Sequence, residues 1–150
     1  MKSLAAENDL QEIQARLETL TAADRRLWGK MTVHQMVCHL ADSLRCPLGE
    51  KTASEAKVFS RRIYKWVALN MPMKWPQGVA TRPEMEQGVG GSCPTDFDAD
   101  RRAVQELLAR FAGTAHEEMS PHPIFGQMTK AEWLRWGYLH TDHHLRQFGR

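Results

Sequence analysis

Long hydrophobic runs are missing from this sequence. The longest, such as Trp66 to Leu69, span only a few residues, far below the roughly 18 to 20 needed to cross a bilayer, so no membrane span or membrane partner is expected. An excess of one charge is missing too. Twenty basic against eighteen acidic residues leave a formal charge of +2, too little to build a phosphate-tracking surface, and nucleic acid is not an expected partner. Cysteine is scarce and odd in number. Cys38, Cys46 and Cys93 form neither a Cys-x-x-Cys pair nor a zinc-ribbon spacing, which predicts reduced thiols in a cytoplasmic setting instead of a disulfide framework. The opening residues turn acidic and polar before an apolar signal region can form, so export by that route is not expected. Also absent are His-Glu-x-x-His, Gly-x-Ser-x-Gly, a glycine-rich phosphate loop and the deaminase Pro-Cys-x-x-Cys, and with them the reactions those motifs support.

What is present is an ordinary globular composition, 42% hydrophobic and 25% charged over 150 residues. That predicts a single domain, 1–150, which buries roughly two-thirds of its unfolded surface. Apolar residues recur at helical steps. Leu10, Ile13, Leu17 and Leu20 mark a first helix from about Asn8 to Leu20. Thr32-x-x-Gln35 reads as the capping box of a second, with Met36, Val37, Leu40 and Leu44 facing inward and an end near Pro47 to Gly49. A shorter third helix is expected from about Val58 to Asn70, with Phe59, Ile63, Trp66, Val67 and Asn70 sharing one face before Pro72.

Between Met71 and Thr95 the prolines and glycines are too dense for a regular element. Long loops of this kind often act as lids or binding loops, and this one leaves room at most for a short two-stranded element. A fourth helix is predicted from near Asp98, with Val104, Leu107, Leu108 and Phe111 inward and Gly113 placed to stop it. The last begins at the capping box Thr129-x-x-Glu132 and carries Trp133, Trp136, Gly137, His140, His144 and Phe148 on one side to about Phe148. The expected fold class is all-α: a bundle of four principal helices with an extra short helix and a long irregular loop.

Chemistry concentrates in the histidines. His140 and His144 are one turn apart on the same face and continue the buried stripe of the last helix, where two imidazoles would be costly to desolvate without a ligand. His143 projects about 100° away from His144 and is the weaker candidate. On the second helix His39 lies beside the apolar stripe, whereas His34 falls with Cys38, Ala41 and Arg45 on a more polar flank. The reading therefore selects His39, His140 and His144 as ligands of one divalent metal. Three neutral imidazoles leave the ion its full charge and open coordination positions, as catalytic sites require. Histidine pairs at this spacing also occur on helix surfaces and in hydrogen-bonded cores, so spacing alone leaves that alternative open. Gln147, Arg146 and Asp42 are candidates to hydrogen-bond the ligand rings or a substrate, against the commoner role of exposed polar residues. Trp28, Trp133 and Trp136 read as packing, Cys38 as a small core filler, and His122 as shaping the approach to the last helix.

Several stretches carry a family likeness. WGKMTVHQMVCHL from Trp28 resembles the first motif of the DinB-like proteins, HPIFGQMTKAEWLRWGYLHTDHHLRQFG from His122 resembles the second, and CPTDFDADRRAVQELLARFAG resembles the penultimate helix of a branch with no assigned activity. The likeness covers most of the chain beyond about residue 24. It implies a four-helix bundle whose metal ligands are one histidine on the second helix and two, four apart, on the last, which here are His39, His140 and His144. Some relatives are thiol transferases, in which a metal-bound low-molecular-weight thiol attacks an electrophile or isomerises a substrate.

The expectation is thus a metal-dependent enzyme, a transferase or hydrolase, acting on a small-molecule substrate. It would use zinc, nickel or iron and draw its nucleophile, a low-molecular-weight thiol, from outside the chain, with the 71–95 loop shaping the pocket. The alternatives are a non-catalytic metal-binding or stress-associated interaction module and a metal-free helical scaffold. The tryptophan- and methionine-rich amphipathic helices also suggest a homodimer.

Overall fold

A computed structural model of the chain describes residues 1–115 and 119–150, and among these it is all-helical. Five α-helices follow in order: α1 (Glu7–Glu18), α2 (Val33–Arg45), α3 (Arg61–Asn70), α4 (Phe97–Gly113) and α5 (Lys130–Gln147). A single 3₁₀ turn, Pro83–Met85, interrupts the long segment between α3 and α4. Helices α1, α4, α2 and α5 touch in a closed ring, α2 packing most extensively on α4, and α3 leans on α5 from outside. This is a four-helix bundle with a fifth, peripheral helix.

The helices that carry histidines are also the ones with the best local start signals. At α2, Thr32 accepts from the Gln35 backbone N–H at 3.2 Å while the Gln35 side chain accepts from the Thr32 N–H at 2.9 Å. At α5, Thr129 and Glu132 make the same reciprocal pair at 3.2 and 2.8 Å. Each box satisfies two backbone donors that would otherwise be orphaned, contributing about 1 kcal/mol or more, and sets the rotational phase of its helix. Asp96 caps α4 by accepting from Ala99 N–H at 2.8 Å.

The core is built from the predicted stripes: Ile13 and Leu17 of α1, Met36, Val37, Leu40 and Leu44 of α2, Val104, Leu107, Leu108 and Phe111 of α4, and Trp133 and Trp136 of α5. Gly137 allows α5 its close approach. A Cβ there would stand 2.7 Å from Leu4 Cδ1 and 2.8 Å from Phe111 Cε1.

Helix α3 corrects the sequence reading. It begins at Arg61, not Val58, because Ser60 adopts a left-handed conformation with φ 55° that turns Phe59 off the helix. Its buried residue is Leu69, whereas Phe59, Ile63, Trp66 and Asn70 are exposed. The rotation is held by polar contacts. Lys65 reaches Glu132 at 2.8 Å and the Gln127 carbonyl at 3.0 Å, and Arg135 Nε donates to the Leu69 carbonyl at 3.0 Å. These place the Lys65–Leu69 face against α5. The long loop holds no paired strands: isolated bridges join Gln87 to Gly91 and, further on, His122 to Gly126.

Candidate metal centre

The three selected histidines converge. One ring nitrogen from each of His39, His140 and His144 lies within 4.8 Å of the other two. Ring centroids are 5.2 Å apart for His39 and His140, 4.7 Å for His39 and His144, and 4.8 Å for His140 and His144. His39 Nε2 stands 3.3 Å from His140 Nε2, matching the separation of about 3.3 Å between nitrogens that bind one tetrahedral ion at ~2.0–2.1 Å.

Surrounding acceptors assign two of the tautomers. His39 Nδ1 lies 3.1 Å from the Met85 carbonyl, which can only accept, so Nδ1 carries the proton and Nε2 is the acceptor. His144 Nδ1 faces Gln147 Oε1 at 3.1 Å, and Gln147 Nε2 donates to the Trp28 carbonyl at 3.0 Å. That backbone carbonyl dictates which way the amide points, so His144 also carries its proton on Nδ1. His140 is oriented by packing, its ring stacked on Trp136 at 4.8 Å and 12°.

Burial keeps the cluster neutral. His39 and His144 are buried and His140 is half-buried. Desolvation pulls all three pKa values below the ordinary histidine value, and for His140 and His144 neighbouring imidazoles add to the lowering. Neutral imidazole is the form that binds a transition ion. Trp75 packs 6.3 Å from His140 and 6.2 Å from His143, and Met85 lies against His39, so two residues of the 71–95 segment border the cluster. The Ser43 hydroxyl sits 3.4 Å from His39 Nε2 and 3.7 Å from the Met85 sulfur.

A model of a family described as a protein of unknown function (DUF1569) matches residues 2–150. The chain belongs to this DUF1569 family. No curated protein and no solved structure matches it.

The remaining candidates of this DUF1569 member divide clearly. Gln147 contacts the His144 ring, as described. Arg146 instead holds Asp142 at 2.8 Å. Asp42 is fully buried and ties down the loop: it accepts from Ser92 N–H at 2.7 Å, Ser92 Oγ at 2.6 Å and Gln87 Nε2 at 3.4 Å, with Lys51 and Arg45 at 3.4 and 3.6 Å. His143 stays outside the cluster. Its ring meets Trp28 edge-on at 4.7 Å, its Nδ1 has no hydrogen-bond partner among the described residues, and burial lowers it to about 4. His122 shapes the approach to α5 as expected, Nδ1 accepting from the N–H groups of Ile124 and Phe125, both at 3.1 Å. His34 turns to α4 and meets Asp100 at 2.7 Å. Cys38 is buried. Burial, followed by the nearby Asp100 carboxylate, pushes its thiol up to about 12, which removes it as a nucleophile at neutral pH.

The sequence reading did not single out Met85, Ser43 or Ser92. Met85 acts through a backbone carbonyl, which no side-chain pattern reveals. Ser43 follows His39 by one helical turn, a spacing that could have pointed to it.

Proposed function

We propose that this chain is a metal-dependent enzyme acting on a small molecule, with a divalent transition ion held by His39, His140 and His144. The observation that carries the reading is the tautomer assignment. Met85 and Gln147 leave Nε2 of His39 and of His144 as the acceptor nitrogens, in a cluster whose nitrogens lie within 4.8 Å of one another with the His39–His140 pair at 3.3 Å. Fixing ligand tautomers from outside is what supporting residues do at metal sites. A divalent ion on three neutral imidazoles keeps its full charge and lowers the pKa of a thiol or water that joins it. Zinc, nickel and iron all suit such a donor set.

The chain's own groups position and shield. Trp136 holds the His140 ring by stacking, Trp75 and Met85 cover the cluster from the loop, and half-buried His140 marks the side that solvent reaches. Asp42 is not free to act as a base, since Ser92 occupies both its oxygens. Cys38 is protonated and the nucleophile comes from outside, which favours a low-molecular-weight thiol and transferase chemistry of the DinB-like kind. The motif likeness over Trp28–Leu40 and His122–Gly149 supports placing the chain in that superfamily.

Elemental analysis of protein purified without tag or chelator tests the ion, and a thiol titration tests the chemistry. In cobalt- or nickel-substituted protein, glutathione, bacillithiol, mycothiol or cysteine is expected to produce a new thiolate charge-transfer band in the difference spectrum. A silent titration of fully metallated protein would replace thiol transfer by water activation or by a non-catalytic metal-binding module.

A further inference from the structure

A second group of donors lies on the neighbouring face of α2, turned toward α4 instead of α5. His34 and Cys38 are one turn apart on α2, and Asp100 stands in the first turn of α4. His34 Nε2 is 2.7 Å and Cys38 Sγ 3.7 Å from the same oxygen, Asp100 Oδ2, and the three donor atoms all lie within 4.8 Å of one another. None of the three belongs to the His39 cluster.

The donors are held in place. Asp100 Oδ2 also accepts from Thr95 N–H at 3.1 Å, Phe97 meets the His34 ring edge-on at 5.5 Å, and Cys38 is buried with 3% exposure. The His34, Cys38 and Thr95 N–H contacts therefore all fall on one carboxylate oxygen, and the Thr95 hydroxyl stands 3.5 Å from both Oδ1 and Oδ2. We infer that His34, Cys38 and Asp100 form a second metal site, specific for a zinc-like ion, that bridges α2 and α4. Ligands of a tetrahedral zinc site stand about 3.3 to 3.7 Å apart, so the sulfur–oxygen spacing already fits and the nitrogen–oxygen pair has to open by about half an ångström. The side chains of His34 and Asp100 keep 23% and 26% exposure, which leaves room for one water as the fourth ligand.

The charge of this set differs from that of the histidine cluster. On binding, the Cys38 sulfur joins the ion as thiolate and its proton leaves to solvent, while Asp100 contributes a second negative charge and His34 none. The dication is neutralised by its ligands, whereas three imidazoles leave the charge available for chemistry. Thiolate with imidazole selects zinc or cobalt over magnesium or calcium.

Cobalt(II) loading of the full chain, followed by removal of loosely held metal, tests the assignment without any activity. Wild-type protein is expected to hold two cobalt ions per chain and to show a thiolate charge-transfer band with no added thiol. Cys38→Ser is expected to lose the band and one ion. Asp100→Asn, which keeps the shape of the side chain and its Thr95 contact, is expected to lose one ion with unchanged far-ultraviolet circular dichroism, so that loss of metal is separated from loss of fold. His144→Ala is expected to keep the band and lose only the other ion, which separates this site from the proposed catalytic one. A band that persists in Cys38→Ser, a band abolished by Cys93→Ser, or wild-type protein without the band would overturn the inference and leave His34, Cys38 and Asp100 as a hydrogen-bonded brace between two helices.

Discussion

Gln147 sets the protonation of His144 through a backbone group far away in sequence. Its amide nitrogen is bound to the Trp28 carbonyl, so its oxygen faces His144 Nδ1 at 3.1 Å and the imidazole proton must sit there. The residue following Trp28 makes this possible. Gly29 has φ 82°, and a Cβ at that position would run into Gln147 Nε2. The connection between α1 and α2 thus takes part in the chemistry of α5.

Replacing Gln147 by Leu is expected to weaken metal binding by about 10- to 100-fold, the usual effect of removing a partner of a ligand histidine. Gln147→Glu retains an acceptor for Nδ1–H and is expected to recover much of the loss. Competition with a chromophoric chelator measures both. Equal affinity in Gln147→Leu and wild type would show that the amide does not govern the ring.

Gly29→Ala forces a side chain into the left-handed region and against the Gln147 amide. The backbone part alone is expected to cost about 1–2 kcal/mol in urea unfolding. Metal affinity should fall as well, and the double variant Gly29→Ala/Gln147→Leu should bind metal no more weakly than Gln147→Leu alone, because both changes act through one contact. Additive losses would mean that Gly29 acts by another path.

Asp42 fastens Ser92 beneath the loop. Asp42→Ala leaves the Ser92 N–H and hydroxyl without their acceptor and is expected to destabilise the protein by about 2 kcal/mol. Amide hydrogen exchange should accelerate over residues 87–92 more than in the α2–α4 core. Uniform acceleration across the molecule would indicate a global effect only.

Burial lowers His122 from 6.5 to about 3, with the Arg61 charge a smaller contribution. The unfolded chain therefore binds a proton that the folded chain refuses. Stability from this group is complete above pH ~6.5 and is lost as pH falls from there toward about 3. The slope approaches about 1.4 kcal/mol per pH unit for a single group. His122→Asn, which still offers an acceptor to the Ile124 and Phe125 N–H groups, should flatten the acid limb by up to that amount. Urea midpoints measured from pH 7 to pH 4 give the comparison, and parallel curves would exclude His122 as a contributor.

Much of this arrangement is legible in the sequence, and the reasons are local. Capping boxes at Thr32 and Thr129 fixed where α2 and α5 begin, after which the helical period carried His39, His140 and His144 onto facing sides. Helix α3 was legible as a helix but not in its rotation. Its apolar Phe59–Ile63–Trp66 stripe outranks Leu69 in any count of hydrophobic residues, and the ion pair of Lys65 with Glu132 that turns it outward joins residues distant in sequence. The Asp42–Ser92 tether and the Met85 carbonyl on His39 were hidden for the same reason, the latter also because a backbone atom has no residue type. For Cys38 the pattern conveyed burial but not the Asp100 carboxylate opposite it.

The two capping boxes have a consequence for how this chain can vary. His39 stands about two helical turns beyond Thr32, and His140 about three turns beyond Thr129. Each cap is thus the origin from which the bearing of a histidine is counted. One residue inserted between Thr32 and His39 would swing the imidazole by about 100°, toward a different neighbour, although every amino acid of the site was still present. The same insertion in the segment between α2 and α3 would change the direction of none of the three histidines. Within these two short spans the site tolerates exchange of residue type far better than a change in length.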